Sequence, residues 1–362
     1  MSRPRLRDLG MSIGLLPTGP DNAITDVPGV WVGHATVVRD DPMVARTGVT
    51  MIVPRENEIW ADFAFCGVHS FNGNGEMTGT AWIEESGMLG SAIGITNTYQ
   101  VGMVRDALVR HSVDEGHRGA FFLPVVAETW DGVLNDIRSF PLTAADAFGA
   151  LAAAAPGPVA EGNVGGGTGM ICHEFKGGIG TSSRRVSIEG SDYMVGALVQ
   201  ANYGERSDLR VDGAAVGRRI GVDVVPSPWT EFDEAGSIIV IVATDAPLLP
   251  VQCRRLARRA TVGLARVGGV GHNGSGDLFL AFATGNRLPK DRPMRELRML
   301  DHDHIDPLFD ATADAVEESI LNALCVAETM TGYQGATAYE LPTEGLLDMV
   351  EGRATTLPGP VD

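Results

Sequence analysis

Residues Ser237–Thr244 read Ser-Ile-Ile-Val-Ile-Val-Ala-Thr. The run does not alternate apolar with polar, so as a strand it must be covered on both faces, as in the middle of stacked layers. Shorter β-branched runs at 30–38, 48–53, 92–96 and 194–199 predict further strands. Helices are predicted over 101–111, 131–137, 144–154, Pro250–Val267 and 311–330; the last is Ala-rich, with Thr331-Gly332 as its C-cap. Several strands with several helices argue a layered α/β or α+β fold. No repeat of 20–50 residues and no long Pro/Ser hinge interrupts the pattern, and the linker-like pieces are 156–162 and the tail 355–362. The chain is therefore read as a single domain over 1–362.

Composition narrows the picture. With 44% hydrophobic and 20% charged residues in a 362-residue chain, a large core is available and a disordered or fibrous chain is excluded. The 46 glycines have no collagen period and predict tight turns and close backbone approaches. A net charge of −18 repels phosphate backbones, so nucleic acid is not an expected partner. Solubility is the preferred account of that acidity, ahead of attraction for cationic substrates. Cys66, Cys172, Cys253 and Cys325 form no CxxC pair; three of the four sit in apolar surroundings, where a free buried thiol is the default, which suits a reducing compartment and hence a cytoplasmic protein. The first 19 residues lack the apolar run of a signal peptide, and no 18-residue apolar stretch predicts a membrane span.

Several motifs tempt and fail. Gly165-Gly166-Gly167-Thr168-Gly169 lacks the Gly-Lys-Ser/Thr ending of a phosphate loop, and Met170 breaks the dinucleotide spacing, so close packing or a sharp turn is the better reading. Asp301-His302-Asp303-His304 with Asp306 reads as a solvated loop before it reads as a metal site. Arg254, Arg255, Arg258, Arg259 and Arg266 crowd one helix and call for acidic partners, as a structural ion-pair face. Gly-x-Ser-x-Gly does not occur.

The informative spot is Asp233-Glu234-Ala235-Gly236-Ser237, leading directly into the buried strand. A serine is a poor way to start a central strand, and a glycine before it accepts strained backbone angles. Together they suit an N→O acyl shift: the hydroxyl attacks its own preceding carbonyl, and water then releases a new N-terminus. An α-amino group, with a pKa of about 7.7–8.0, is well matched to general-base work on the hydroxyl beside it.

The chain resembles the L-aminopeptidase/D-esterase family (peptidase family S58), which includes the β-peptidyl aminopeptidases. The resemblance covers nearly the whole chain. It rests on the block from Ile24 to His34, Asn72-Gly73-Asn74-Gly75-Glu76, Thr96-Asn97-Thr98, Glu128-Thr129-Trp130-Asp131-Gly132, Gly165 to Gly169, Lys176 to Ser182, Gly236 to Pro247, and Asn322-Ala323-Leu324 with Glu328 to Gly332. It implies a four-layer α/β/β/α sandwich, layered like the N-terminal-nucleophile hydrolases but connected differently. It implies self-cleavage between Gly236 and Ser237 into 1–236 and 237–362, no metal or other cofactor, and a homotetramer of processed units. Substrates would be small peptides, amides or esters with a free N-terminal amine, of L-, D- or β-amino acids. Both pieces are acidic, with 17 basic against 29 acidic residues in the first and 11 against 17 in the second. A shared buried sheet, rather than overall charge attraction, is therefore expected to hold them together.

By the same resemblance Ser237 is the nucleophile, Ser275 and Asp277 its supporting pair, and Asn202 the oxyanion donor. Glu128 would bind the substrate ammonium and Trp130 would wall the side-chain pocket. Some relatives carry Glu where Asp277 stands, and some have a tyrosine near the site that the block after Glu128 lacks. Read without the resemblance, Asn202 is a turn residue, Ser275 and Asp277 are loop polars, and Glu128 caps a helix or pairs with an arginine. Two other classes stay open: an acyltransferase of the ornithine acetyltransferase type, which usually presents threonine, and an unprocessed, non-catalytic homologue.

Overall fold

A computed structural model describes residues 3–117, 121–229 and 236–353. Asp233-Glu234-Ala235 and the tail 355–362 lie outside the described residues. The first part of the chain forms β1 (Trp31–Arg39), β2 (Ala45–Val53), β3 (Asp62–Gly73), α1 (Thr80–Ser86), β4 (Met88–Leu89), β5 (Ile93–Asn97), α2 (Val101–Asp114), β6 (Val125–Thr129) and α3 (Ala144–Ala152). The hairpin β7 (Ile171–Cys172) and β8 (Phe175–Lys176) precedes the long strands β9 (Gly178–Ile188) and β10 (Ser191–Asn202). Then come β11 (Ser237–Thr244), α4 (Pro250–Val267), β12 (Gly276–Pro289), α5 (Asp306–Val326), the short pair β13 (Met330–Thr331) and β14 (Thr337–Ala338), and α6 (Leu346–Val350).

Two sheets stack. One has the order β1-β2-β5-β6; the other has the order β4-β3-β12-β11-β10-β9. The helices α2 and α3 cover the first sheet, and α4 and α5 cover the second. This is the four-layer α/β/β/α sandwich. The unalternating run is its key: Ile239, Ile241 and Ala243 enter the core between the sheets, while Ile238, Val240 and Val242 enter the core under α4 and α5. A strand whose two faces meet two apolar layers carries no polar positions to alternate.

The β11 and α4 boundaries match the sequence reading, and all four cysteines are free and buried. Two helix predictions do not match. Residues 131–137 form turns, because Asn135 Nδ2 donates to Asp131 Oδ1 (3.0 Å) and Asn135 Oδ1 accepts from Arg46 N–H (3.1 Å). These polar side chains bond locally instead of leaving the backbone to a helix. The helix predicted at 311–330 begins at Asp306, with Pro307 in its first turn, and ends at Val326. Asn163 exchanges hydrogen bonds with the Glu328 backbone (2.8 and 3.1 Å), and Met330 pairs with Ala338, so Thr331-Gly332 caps no helix.

Strand β9 escaped the pattern because its middle, Gly180 to Arg185, is Gly, Thr, Ser and Arg, with apolar residues only towards its ends. Its small residues let α5 lie directly on it: a Cβ on Gly180 would stand 1.9 Å from the Ser319 carbonyl oxygen. The Gly165–Gly167 turn is likewise a packing device. A Cβ on Gly166 would meet Gln200 Oε1 at 2.1 Å, and one on Gly167 would meet Ile179 N at 2.4 Å.

The arginine helix differs from its expected ion-pair face. Arg266 alone of the five pairs with carboxylates among the described residues, Asp314 (2.7 Å) and Glu317 (3.2 Å). Arg255 and Arg259 instead lie over the Phe309 ring. His302–His304 is a short exposed turn. Charge also joins the segments on either side of Ser237 locally. The buried Glu318 of α5 takes Arg184 (2.7 Å) and Arg7 (2.7 Å), both from the first segment. Burial alone would raise the Glu318 pKa, but Arg7, Arg184 and Asn22 hold it below its ordinary value.

Candidate active site

Three residues from three strands stand in one row at one end of the six-stranded sheet. Asn202 ends β10 opposite Ser237 in the antiparallel pair, and Ser237 starts β11 opposite Gly276 in the parallel pair. Ser237 is 6% exposed. The Gly276 N–H lies 3.2 Å from Ser237 Oγ and 3.3 Å from the Gly236 carbonyl oxygen. One backbone donor thus serves both the hydroxyl and the carbonyl of the peptide bond before it.

Asn202 is a buried strand residue rather than a turn residue. Its Oδ1 accepts from Ile171 N–H (2.8 Å), and its Nδ2 donates to the Trp130 carbonyl (2.9 Å). A carboxamide has two N–H donors. One is spent on Trp130, which fixes the plane of the amide. The Trp130 bond also shows that this face of the row looks toward the four-stranded sheet, where β6 ends. Trp130 meets Asn202 through its carbonyl, while its ring folds over Gly132, where a Cβ would come within 2.4 Å of Trp130 Cζ2.

Glu128 lies on β6 and is 3% exposed. Its Oε1 accepts from Glu76 N–H (2.9 Å), and its Oε2 accepts from the Thr98 hydroxyl. No arginine or lysine pairs with it among the described residues, and it caps no helix. Burial pushes its pKa up, against the pull of the Thr98 and Glu76 hydrogen bonds. Gly75 wedges between this carboxylate and the Ser237 row: a Cβ there would lie 3.1 Å from Gly276 Cα and 3.2 Å from Glu128 Oε1. Gly276 is equally constrained, since its Cβ would lie 2.5 Å from the Asn74 carbonyl oxygen. The Asn72-Gly73-Asn74-Gly75-Glu76 block is thus the bridge from the six-stranded sheet to Glu128. Asn72 Nδ2 donates to the His272 and Ser275 carbonyls (2.5 and 2.7 Å), and Asn74 Nδ2 donates to the Gly274 carbonyl (2.8 Å).

Ser275 Oγ donates to Asp277 Oδ1 (2.5 Å). Burial raises the Asp277 pKa, opposed by Ser275 and by the Ile238 N–H. Along β12, Asp277 shares its face with Phe279 and Ala281, which belong to the core under the helices. Ser237 shares the opposite face of β11 with Ile239 and Ile241. The Ser275–Asp277 pair therefore meets Ser237 through the Gly276 backbone between them. A cavity of about 490 Å³ opens on the helix side, lined by Gly236, Ser275, Asp277, His272, Tyr203 and Trp229.

Sequence reasoning missed two groups here. Asp131 is buried two residues past the end of β6, and burial pushes its pKa up to about 7. Lys176 is wholly buried, with Nζ donating to the carbonyls of Gly167 (3.2 Å), Met170 (2.9 Å) and Gly177 (2.8 Å). A lysine inside a glycine-rich apolar stretch, Phe175-Lys176-Gly177-Gly178-Ile179, was the available signal. Among the described residues no group of three or more His, Cys, Asp or Glu could hold a metal ion, and no helix is long and apolar enough to cross a membrane.

The profile of peptidase family S58 matches residues 22–338. The β-peptidyl aminopeptidase BapA of Sphingosinicella microcystinivorans is 45% identical over 357 residues, covering 94% of this chain and 90% of that protein. A β-aminopeptidase from a Burkholderia species is similar in structure, with a TM-score of 0.91 and 52% identity, over 96% of this chain and 99% of that one. The L-aminopeptidase D-Ala-esterase/amidase of Ochrobactrum anthropi, described as a prototype serine aminopeptidase and a variant of the Ntn hydrolase fold, also has a TM-score of 0.91. It is 44% identical, over 97% of this chain and 99% of that one. The chain belongs to peptidase family S58 and is an aminopeptidase, a hydrolase acting on N-terminal residues.

Proposed function

We infer that the protein is a self-processing serine aminopeptidase whose nucleophile is Ser237. The observation that carries this is the row Asn202–Ser237–Gly276, in which the Gly276 N–H reaches both Ser237 Oγ and the Gly236 carbonyl. In processing, Oγ attacks the Gly236 carbonyl carbon and the C–N bond breaks. The hydroxyl proton ends on the departing Ser237 nitrogen. Water then hydrolyses the ester, leaving a Gly236 carboxylate and a Ser237 ammonium that equilibrates with the free amine. The chain becomes 1–236 and 237–362 within one fold.

In turnover the free Ser237 amine takes the proton from its own Oγ as this attacks the substrate carbonyl. Asn202 Nδ2 and the Gly276 N–H are the donors available to the oxyanion, fixed in place before reaction. The amine returns its proton to the leaving group, and water releases the acyl residue from Ser237. Glu128, buried without a cationic partner among the described residues, supplies the counter-charge for a substrate ammonium. A substrate lacking that ammonium leaves the carboxylate buried and unpaired, which is costly. The Ser275–Asp277 pair holds the Gly276 backbone, and through it Ser237, in position, and Trp130 borders the acyl pocket.

Substrates are small peptides, amides and esters with a free amine. β-Amino acid residues are included on the strength of the two β-aminopeptidase relatives, and D-residues on that of the Ochrobactrum enzyme. The working unit is a cytoplasmic homotetramer, with exposed Trp82, Phe121 and Leu123 as apolar surface for assembly. The test is a panel of α- and β-aminoacyl p-nitroanilides, each with its N-acetyl counterpart. Release from the free amines alone, with an acyl adduct mapped to Ser237 by mass spectrometry, supports the reading. Equal release from the acetylated compounds, or an adduct elsewhere, overturns it.

A further inference from the structure

Lys176 is a buried amine that no carboxylate answers. It is 0% exposed, and among the described residues no Asp or Glu forms an ion pair with it. Burial pushes the Lys176 pKa down to about 7, so near neutral pH its ammonium form depends on the hydrogen-bond acceptors around it. Its three ammonium protons meet three carbonyls, those of Gly167, Met170 and Gly177. Burying a cation this way is expensive, and the β7–β8 hairpin does not need it to close. Ile171 already pairs with Lys176 through the backbone, and Gly177 N–H donates to the Met170 carbonyl (2.9 Å). A methionine of similar length would fill the same space without the charge.

The use of the charge lies one peptide further on. The Met170 carbonyl that accepts from Lys176 Nζ (2.9 Å) belongs to the same peptide as the Ile171 N–H. That N–H donates to Asn202 Oδ1 (2.8 Å); at the other end of the amide one Nδ2 proton goes to the Trp130 carbonyl (2.9 Å), and the residue stands opposite Ser237 in the strand pair. An ammonium, a peptide and a carboxamide are thus joined head to tail, each carbonyl accepting and each N–H donating in one direction. Such chains polarise cooperatively in a low-dielectric interior. Fixed dipoles aimed at developing negative charge are the strongest common form of catalytic stabilisation.

We propose that Lys176 is a positioning residue for the oxyanion donor: through the Met170–Ile171 peptide its ammonium fixes and polarises the Asn202 carboxamide that faces Ser237. This rests on Asn202 being the oxyanion donor, and the test separates the two claims.

The experiment is a double-mutant cycle on kcat per processed chain, using Lys176→Met, Asn202→Ala and the pair, with a β-aminoacyl p-nitroanilide as the probe substrate. Lys176→Met is expected to lower kcat roughly tenfold or more, the size of a lost charge-assisted hydrogen bond, with KM near the wild-type value. In the Asn202→Ala background the same substitution is expected to lower kcat less than about twofold, because its route to the oxyanion is already cut. Multiplicative losses, or a loss confined to KM, overturn the proposal. A wild-type kcat in Asn202→Ala instead removes the reading of Asn202 on which it rests. Lys176→Gln, which keeps two N–H donors, serves where Met prevents folding. If both Lys176 variants fail to fold while Asn202→Ala folds, Lys176 is structural and the proposal falls.

Discussion

Asn202 and Ser237 stand directly opposite each other in the antiparallel β10–β11 pair, on the face that looks toward the second sheet. Strand register, rather than loop geometry, sets their separation, so the carboxamide is rigid before any substrate arrives. Asn202→Ala should lower kcat roughly 10²–10³-fold, about 3–4 kcal/mol of transition-state stabilisation, with little change in KM. Steady-state kinetics on an aminoacyl p-nitroanilide checks the split; a rise in KM at constant kcat would assign Asn202 to binding.

Glu128→Gln removes the carboxylate proposed for the substrate ammonium while keeping its shape. The preference for a free amine over its N-acetyl counterpart should collapse, with kcat/KM for the free amine falling at least tenfold, as for a lost hydrogen bond to a charged group. Stability should move the other way. Burial raises the Glu128 pKa above its ordinary 4.5, so the folded chain binds the proton more tightly than the unfolded one. The ionised group therefore costs stability increasingly as pH rises from 4.5, and less below it. Without substrate, Glu128→Gln should melt no lower than wild type at pH 7, and its Tm advantage should shrink toward pH 4. A large Tm loss at pH 7 contradicts this.

The general base assigned to the Ser237 amine sets the acid limb of activity. The amine works only when neutral, and its ordinary pKa is about 7.7–8.0. Activity should fall tenfold per pH unit once the pH lies below the amine's pKa in the folded protein. A pH–kcat/KM profile that stays flat from pH 8 to 5 would remove the amine from that role.

Two positions test how the fold holds the site. Gly276→Ala would force a Cβ to 2.5 Å from the Asn74 carbonyl oxygen and 2.7 Å from Gly75 Cα, both backbone atoms. About 1–3 kcal/mol of overpacking strain should appear as a lower Tm, together with loss of the Gly276 N–H alignment on Ser237. Glu318→Gln would leave Arg184 buried without its counter-charge, at about 3–5 kcal/mol. Glu318 is held below its ordinary pKa, so its contribution is present above 4.5 and is lost as pH falls through its folded value. The difference in urea midpoint between Glu318→Gln and wild type should therefore be large at pH 7 and shrink toward pH 3.

The layered fold was legible where one strand is apolar on both faces: Ser237–Thr244 predicted a central strand and is one. Strand β9 was not legible, because Gly180 and Ser182 answer to the helix α5 lying on them rather than to a water-facing alternation. The Gly236-Ser237 junction stood out only as a poor way to begin such a strand. The family resemblance supplied Asn202, Ser275, Asp277, Glu128 and Trp130. What no sequence spacing carries is register: that Asn202, Ser237 and Gly276 share a row, that Gly75 separates Glu128 from it, and that Lys176 lies two hydrogen bonds from Asn202. Those relations arise from strand pairing between distant segments. The net charges of the two segments exclude overall attraction but say nothing of local pairs, and so they conceal the pairing of Glu318 with Arg7 and Arg184.

The central claim is that Ser237 cuts the chain before itself and then works as its N-terminal residue. Intact-mass spectrometry of the denatured protein tests it most directly. The account predicts two species, one ending at Gly236 and one beginning at Ser237 with a free amine, and a single 38.2 kDa chain in Ser237→Ala. An active wild-type protein that stays a single 38.2 kDa chain, or a Ser237→Ala variant that still divides at this bond, would contradict it.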